Sequence, residues 1–168
     1  LSNSVAGLID LDLVQAQKVR GAGSYPILNN DYGAQYLYGV PNDGQSLADV
    51  EKLLLEQIEK IKRGEIEDWV IPAIVTDFKK MRKGGLESDE SRVSYMRESF
   101  ISFQDWDHSV GQLDRLEKLT KKDIVRVAKK YFRDDFVAGY REDGQHDVPK
   151  SEKPAIDQLQ IDPRRQSE

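Results

Sequence analysis

Apolar residues recur along most of this chain at helical spacing. Residues 5–19 (VAGLIDLDLVQAQKV) bring Val5, Leu8, Ile9, Leu13 and Val14 close to one helical face, with Leu11 off it. That spacing predicts a helix fraying towards Gly21 and Gly23. Leu47, Val50, Leu54, Ile58 and Ile61 give the clearest stripe. It starts behind Ser46-Leu47-Ala48-Asp49, which resembles a capping box with Asp in the usual place of Glu or Gln. Gly64 supplies a left-handed stop. A second long helix is predicted from about Asp68 to Arg82, with Ile71, Ile74, Phe78 and Met81 on one stripe. Pro72 fits only in a first turn, so this helix should start near Trp69 and end at Lys83-Gly84-Gly85. A third runs from roughly Asp89 to Phe103, with Val93, Met96, Phe100 and Phe103 as its stripe. A short helix with Val110, Leu113, Leu116 and Leu119 follows. Thr120-Lys121-Lys122-Asp123 then caps a last helix carrying Ile124, Val127, Ala128 and Tyr131.

The pattern changes in three places. SYPIL (24–28) and AQYLYGV (34–40) are rich in aromatic and branched residues and flank the turn cluster NNDYG, which predicts a β-hairpin. Pro26 would lie on an edge or at a strand start, because it cannot donate to a ladder. DFVAGYR (135–141) reads as another strand, with Phe136, Ala138 and Tyr140 to one side. From Glu142 the chain is polar, holds three prolines and loses all periodicity. Residues 142–168 therefore read as an extended linker or tail, with Ile156, Leu159 and Ile161 available to dock elsewhere. Helices in one layer and strands in another make residues 1–141 an α/β (α+β) two-layer sandwich on a mainly antiparallel sheet. Three strands make a thin sheet, so further strands are expected in a missing N-terminal part.

Composition narrows the function classes. The chain has 168 residues, 38% hydrophobic and 33% charged, a globular balance with a wet surface. Its formal net charge is -5, both signs are interspersed, and no basic block marks a nucleic-acid footprint. The absence of cysteine excludes disulfides and thiolate metal sites. No apolar run approaches the roughly 20 residues of a membrane span. The start, Leu1-Ser2-Asn3, lacks a basic n-region, an apolar h-region and an initiating Met, so the chain looks processed or excised.

Candidate chemistry is sparse. The two histidines, His108 and His146, lie 38 positions apart and neither belongs to an H-x-x-x-H pair. A catalytic zinc needs about three protein ligands and an open position, and this spacing does not supply them. His108 reads as a surface or helix-start residue and His146 as a linker residue. No G-x-S-x-G elbow or P-loop occurs. Gly21-Ala22-Gly23 loosely echoes a dinucleotide-binding turn, but its sixth position is Pro26. Glu87, Asp89 and Glu90 crowd one segment with Ser88 and Ser91, where acids suit a helix N-terminus. Glu56, Glu59, Lys60 and Arg63 read as the solvated face of a helix.

The order of elements carries a resemblance. An AGLIDLDLVQAQKV helix leads through a Gly-rich turn to SYPI and YGAQYLYG. GQSLADVEKLLLEQIEKIKRGEIEDWVIPAIVTDFKK, LESDESR and LDRLEKLTKKDIVRVAKKYF follow. Over about residues 1–141 this resembles the non-catalytic, C-terminal-type domain of zinc peptidases of the pitrilysin/insulinase type. Its most specific pieces are LLLEQIEKIKRGEIE and LEKLTKKDIVRVAKKYF. The tail EKPAIDQLQIDPRRQSE looks like the linker between the halves of large members.

The resemblance implies a clamshell protease whose zinc lies in another domain, on an H-x-x-E-H helix with a later glutamate. That motif is absent here, so no catalytic residue, metal ligand or cofactor is expected in this chain. The implied partners are a catalytic domain, in the same full-length protein or a partner subunit, and a peptide substrate, with no nucleic acid or membrane. Some family domains hold an Arg and a Tyr seven residues apart against substrate. Lys18 and Tyr25 fall at that pair, and Lys offers a point charge where Arg would offer a planar fork. The alternative for these two is a helix-end lysine and a half-buried strand tyrosine. The implied function is a chamber-forming, substrate-positioning domain of a metalloendopeptidase. A catalytically inactive assembly subunit is the other reading. Large bacterial relatives are exported, which would imply a periplasmic location.

Overall fold

Ser46 opens the first long helix, α1 (Leu47–Arg63), by accepting the Asp49 amide on its hydroxyl at 3.1 Å. The same hydroxyl donates to the Asp49 carboxylate at 2.6 Å. Gly64 ends the helix at φ 75°, a left-handed position that costs glycine little. Between these caps Val50, Leu54, Ile58 and Ile61 are buried along one face. The structure is a computed structural model and describes residues 1–144.

The hairpin forms with longer strands than the sequence predicts, β1 (Gly21–Leu28) and β2 (Gly33–Val40). Their antiparallel register runs from Gly21 opposite Val40 to Leu28 opposite Gly33, with Tyr25 facing Tyr36. Gly21-Ala22-Gly23 is therefore strand, not a turn. One sheet face, with Ala22 and Leu37, packs on a core of Ile9, Leu13, Val19, Val50 and Leu54. Each such side chain contributes on the order of 1.5–3 kcal/mol when fully buried. The approach is close, since a Cβ on Gly39 would lie 2.3 Å from Val50 Cγ1.

The helix predicted over 5–19 is shorter and distorted. Helical backbone begins at Leu8, and Asp10–Gln15 forms a π-turn. Asn3 is the reason for the late start. Its side-chain oxygen accepts the amides of Val5, Ala6 and Gly7, a local alternative to helix. The widened π-turn then aims both Ile9 and Leu13 into the core at 0% exposure and leaves Val5 outside. Leu11 packs instead against a second cluster of Leu8, Ile61, Ile66, Val70 and Ala128. The buried Asp10 carboxylate is satisfied by the Ser2 hydroxyl and the amides of Asn3 and Gly7.

The helical layer continues through α2 (Val70–Gly85), α3 (Asp89–Ile101), α4 (Trp106–Val110), α5 (Gln112–Glu117) and α6 (Lys121–Tyr131). Pro72 sits in the first turn of α2, as predicted. The short helix expected around Val110–Leu119 divides at Gly111 into α4 and α5. Thr120 and Asp123 form a complete reciprocal capping box, and α6 lays Ala128 against the second cluster. Two expectations fail. Val93, Met96, Phe100 and Phe103, read as a core stripe on α3, are 64%, 54%, 82% and 87% exposed. What anchors α3 is polar: the buried Ser99 and Ser109 hydroxyls bond at 2.7 Å, and Tyr95 bonds the Ser109 carbonyl. The strand read over 135–141 does not form. Among the described residues the sheet has two strands, and residues 134–144 carry no strand. A strand exists only through a ladder with a neighbour, and this sequence pattern cannot supply one.

Leu1–Val137 make one compact unit. The chain from Ala138 onward groups separately, and its described part, 138–144, is exposed and without regular structure. The tail read over 142–168 lies mostly outside the described residues, as do His146, Ile156, Leu159 and Ile161.

Candidate functional site

A two-stranded sheet with helices on one face leaves its other face open, and on this one tyrosines gather. Strand alternation puts Gly23, Tyr25 and Ile27 of β1, with Ala34, Tyr36 and Tyr38 of β2, on the side opposite Ala22, Leu37 and Gly39. Tyr25 and Tyr36 stack with ring centroids 5.6 Å apart and an interplanar angle of 6°. Tyr38 tilts against Tyr25 at 6.5 Å and 53°. All three stay about half exposed. Gly23 makes room for this arrangement, because a Cβ there would lie 2.8 Å from the Tyr38 ring. Aromatic pairs of this kind add roughly 0.5–1.5 kcal/mol beyond burial, so the face is organised before anything binds.

Tyr25 thus belongs to an aromatic platform. Lys18 lies outside it, in the exposed bend after the π-turn. Its amide donates to the Leu13 carbonyl, and its carbonyl accepts from the Gln45 side chain. Among the described residues no hydrogen bond or ring contact joins Lys18 to Tyr25. Tyr36 and Tyr38 escaped the sequence reading. The signal was present in Tyr36-x-Tyr38, since any register pairing Tyr25 with Tyr36 puts all three on one face.

A groove of about 480 Å³ lies between α2, α5 and the start of α6. Ile71, Pro72, Val75 and Leu119 line it, with the ion pairs Lys121–Asp68 and Lys79–Glu117 at its rim. The Lys121 ammonium holds the Asp68 carboxyl below its usual range. Each of these four charges already meets its opposite, so the groove offers a ligand little unspent electrostatics.

The other singled-out groups serve local structure. His108 is exposed on α4, where its carbonyl accepts from Arg115. Ser88 caps α3, and Asp89 pairs with Arg92 one turn on. Among the described residues no three His, Asp or Glu side chains are placed to hold a metal ion. No described helix is long and apolar enough to cross a membrane.

No protein-family model matches this chain, and no curated protein matches it. Its fold is similar to that of a solved protease from Helicobacter pylori, with a TM-score of 0.65 and 22% sequence identity. The likeness covers 78% of this chain and 30% of the protease chain. At this identity the likeness is one of fold, and the chain spans less than a third of its neighbour.

Proposed function

We propose that this chain is a chamber-forming, substrate-positioning domain of a zinc-dependent metalloendopeptidase of the pitrilysin/insulinase type. The zinc and the general base would lie in another domain. The observation that carries the reading is the likeness of fold to a protease over most of this chain but a minor part of that one. The open tyrosine face supports it, because a surface that meets many peptides needs adaptable apolar contact rather than fixed charges. The role is positioning: binding that restrains a peptide lowers the entropic part of a barrier met elsewhere. Lys18 and Tyr25 are the positions where the resemblance places substrate contact. Tyr25 has neighbours suited to it, whereas Lys18 contributes at most a mobile point charge.

Sequencing the native transcript on both sides of this segment tests the proposal. It predicts an H-x-x-E-H motif and a later glutamate in the same frame. Flanks without that motif would sink it and leave an inactive, partner-dependent subunit as the reading.

A further inference from the structure

We infer that the Arg82 guanidinium, stacked on Tyr95 where α2 meets α3, is a binding site for a carboxylate carried on an apolar or aromatic body. The site is separate from the tyrosine face of the hairpin and does not rest on the peptidase reading above.

Arg82 lies in the last turn of α2, and its central guanidinium carbon sits 3.2 Å from the centroid of the Tyr95 ring. At that separation the two planes fit only face to face. The N–H groups of the guanidinium therefore point sideways, along its own plane. The ring beneath it is held as well. Its hydroxyl donates to the Ser109 carbonyl, and the Trp106 indole tilts against it at 5.4 Å and 57°. A bond of 2.7 Å between the Ser99 and Ser109 hydroxyls ties α3 to the helix that carries Trp106.

This charge is fixed in place but not answered. Lys79 and Lys121 each meet a carboxylate, whereas among the described residues no ion pair or hydrogen bond engages the Arg82 guanidinium. Partial burial lowers its pKa, with no acidic side chain acting in the opposite direction. A basic residue in a last turn suits the helix dipole, which accounts for Lys83 equally and leaves the stacking unexplained. A partly desolvated cation without a counter-charge costs stability. Its donors form a rigid fork that matches a carboxylate through two parallel hydrogen bonds. Because Tyr95 already orients the fork, a ligand would bind without having to order it. Trp106, 44% exposed, and the Tyr95 ring put apolar surface beside the charge, which favours a carboxylate on an apolar or aromatic body.

The test uses the isotope-labelled 168-residue chain carrying Trp69→Phe, which leaves Trp106 as its single tryptophan. Benzoate is titrated against benzamide, its neutral isostere, and the readouts are Trp106 fluorescence and the Arg82 Nε–H resonance. Benzoate is expected to shift both saturably, and benzamide to move neither at the same concentrations. Arg82→Lys keeps the charge but loses the fork and should weaken benzoate binding by about tenfold or more. Arg82→Met should abolish it, with thermal unfolding checking that each variant folds. If Arg82→Met does not fold, the benzoate and benzamide comparison on the parent chain decides. A tripeptide with a free C-terminus, set against one amidated there and bearing a glutamate side chain, separates a chain end from a side chain as the source of the carboxylate. A response to either supports the site, and silence from both would overturn it. Equal responses to benzoate and benzamide, or benzoate binding unchanged in Arg82→Met, would overturn the inference. Inorganic phosphate binding as tightly as benzoate would overturn the carboxylate assignment, and no saturable response to benzoate would overturn the site.

Discussion

Substituting Gly39 by alanine should destabilise the fold out of proportion to one methyl group. The added Cβ would sit 2.3 Å from Val50 Cγ1 and 3.2 Å from Leu54 Cδ1. Carbon atoms pack best at about 3.5–4.0 Å, so the first contact is short by about 1.2 Å. Val50 cannot easily yield. It is 3% exposed, and a β-branched side chain on a helix has one strongly preferred rotamer. Relief requires α1 to lift from the sheet, and such overpacking typically costs about 1–3 kcal/mol. The intrinsic gain of replacing glycine in a regular element, roughly 0.5–1 kcal/mol, offsets part of it. For a chain of this size a net loss near 1–2 kcal/mol lowers Tm by about 2–8 °C. Thermal and urea unfolding would measure this, with Gly84→Ala as control, since nothing lies within 4 Å of a Cβ there. A second variant, Val50→Ala, should lose stability alone yet recover part of the Gly39→Ala loss when combined with it. A Gly39→Ala protein as stable as the parent, or losses that simply add, would refute the packing of α1 on β2.

Three more outcomes follow from particular residues. Gln57 is 1% exposed and its side-chain carbonyl oxygen has no hydrogen-bond partner among the described residues, so Gln57→Met should raise the urea midpoint, with a gain in unfolding free energy of up to about 1–2 kcal/mol; a lowered midpoint would contradict an unpaired oxygen. Hydrogen bonds from the Thr120 hydroxyl and amide hold the Asp123 carboxyl below its ordinary pKa. The stabilisation this carboxylate supplies is therefore present above the unfolded-state pKa and lost as pH falls through the folded one. Thr120→Ala should shift the Asp123 titration by NMR upward and destabilise α6 by about 1 kcal/mol, and an unmoved titration would contradict the capping box. Gly23→Ala should displace the Tyr38 ring and weaken the near-ultraviolet tyrosine circular dichroism, and an unaltered spectrum would contradict the platform.

The parts of the fold legible in the sequence were those decided locally. Ser46, Gly64, Thr120 and Asp123 set helix ends through bonds within a few residues, so their spacing alone located α1 and α6. The turn cluster around Asn29–Tyr32 likewise fixed the hairpin. What could not be read depended on remote neighbours. The stripe of α3 has helical periodicity whether or not anything covers it, and periodicity cannot say that Phe100 and Phe103 stay outside. Residues 135–141 have strand composition, but a strand also needs a partner edge. The π-turn at Asp10–Gln15 was signalled by Leu11 falling off the helical face, without revealing that an extra residue widens the turn. At the candidate site Tyr25 was visible and its companions were not, because Tyr36 and Tyr38 join it only through cross-strand register.

The central claim is that this chain positions peptide and performs no chemistry, and one comparison tests it most directly. The isolated 168-residue chain and the longer native protein that the proposal implies would each be assayed for bound zinc and for hydrolysis of an unfolded peptide. The account predicts zinc and cleavage in the native protein and neither in the isolated chain. Stoichiometric zinc with hydrolysis by the isolated chain would contradict it.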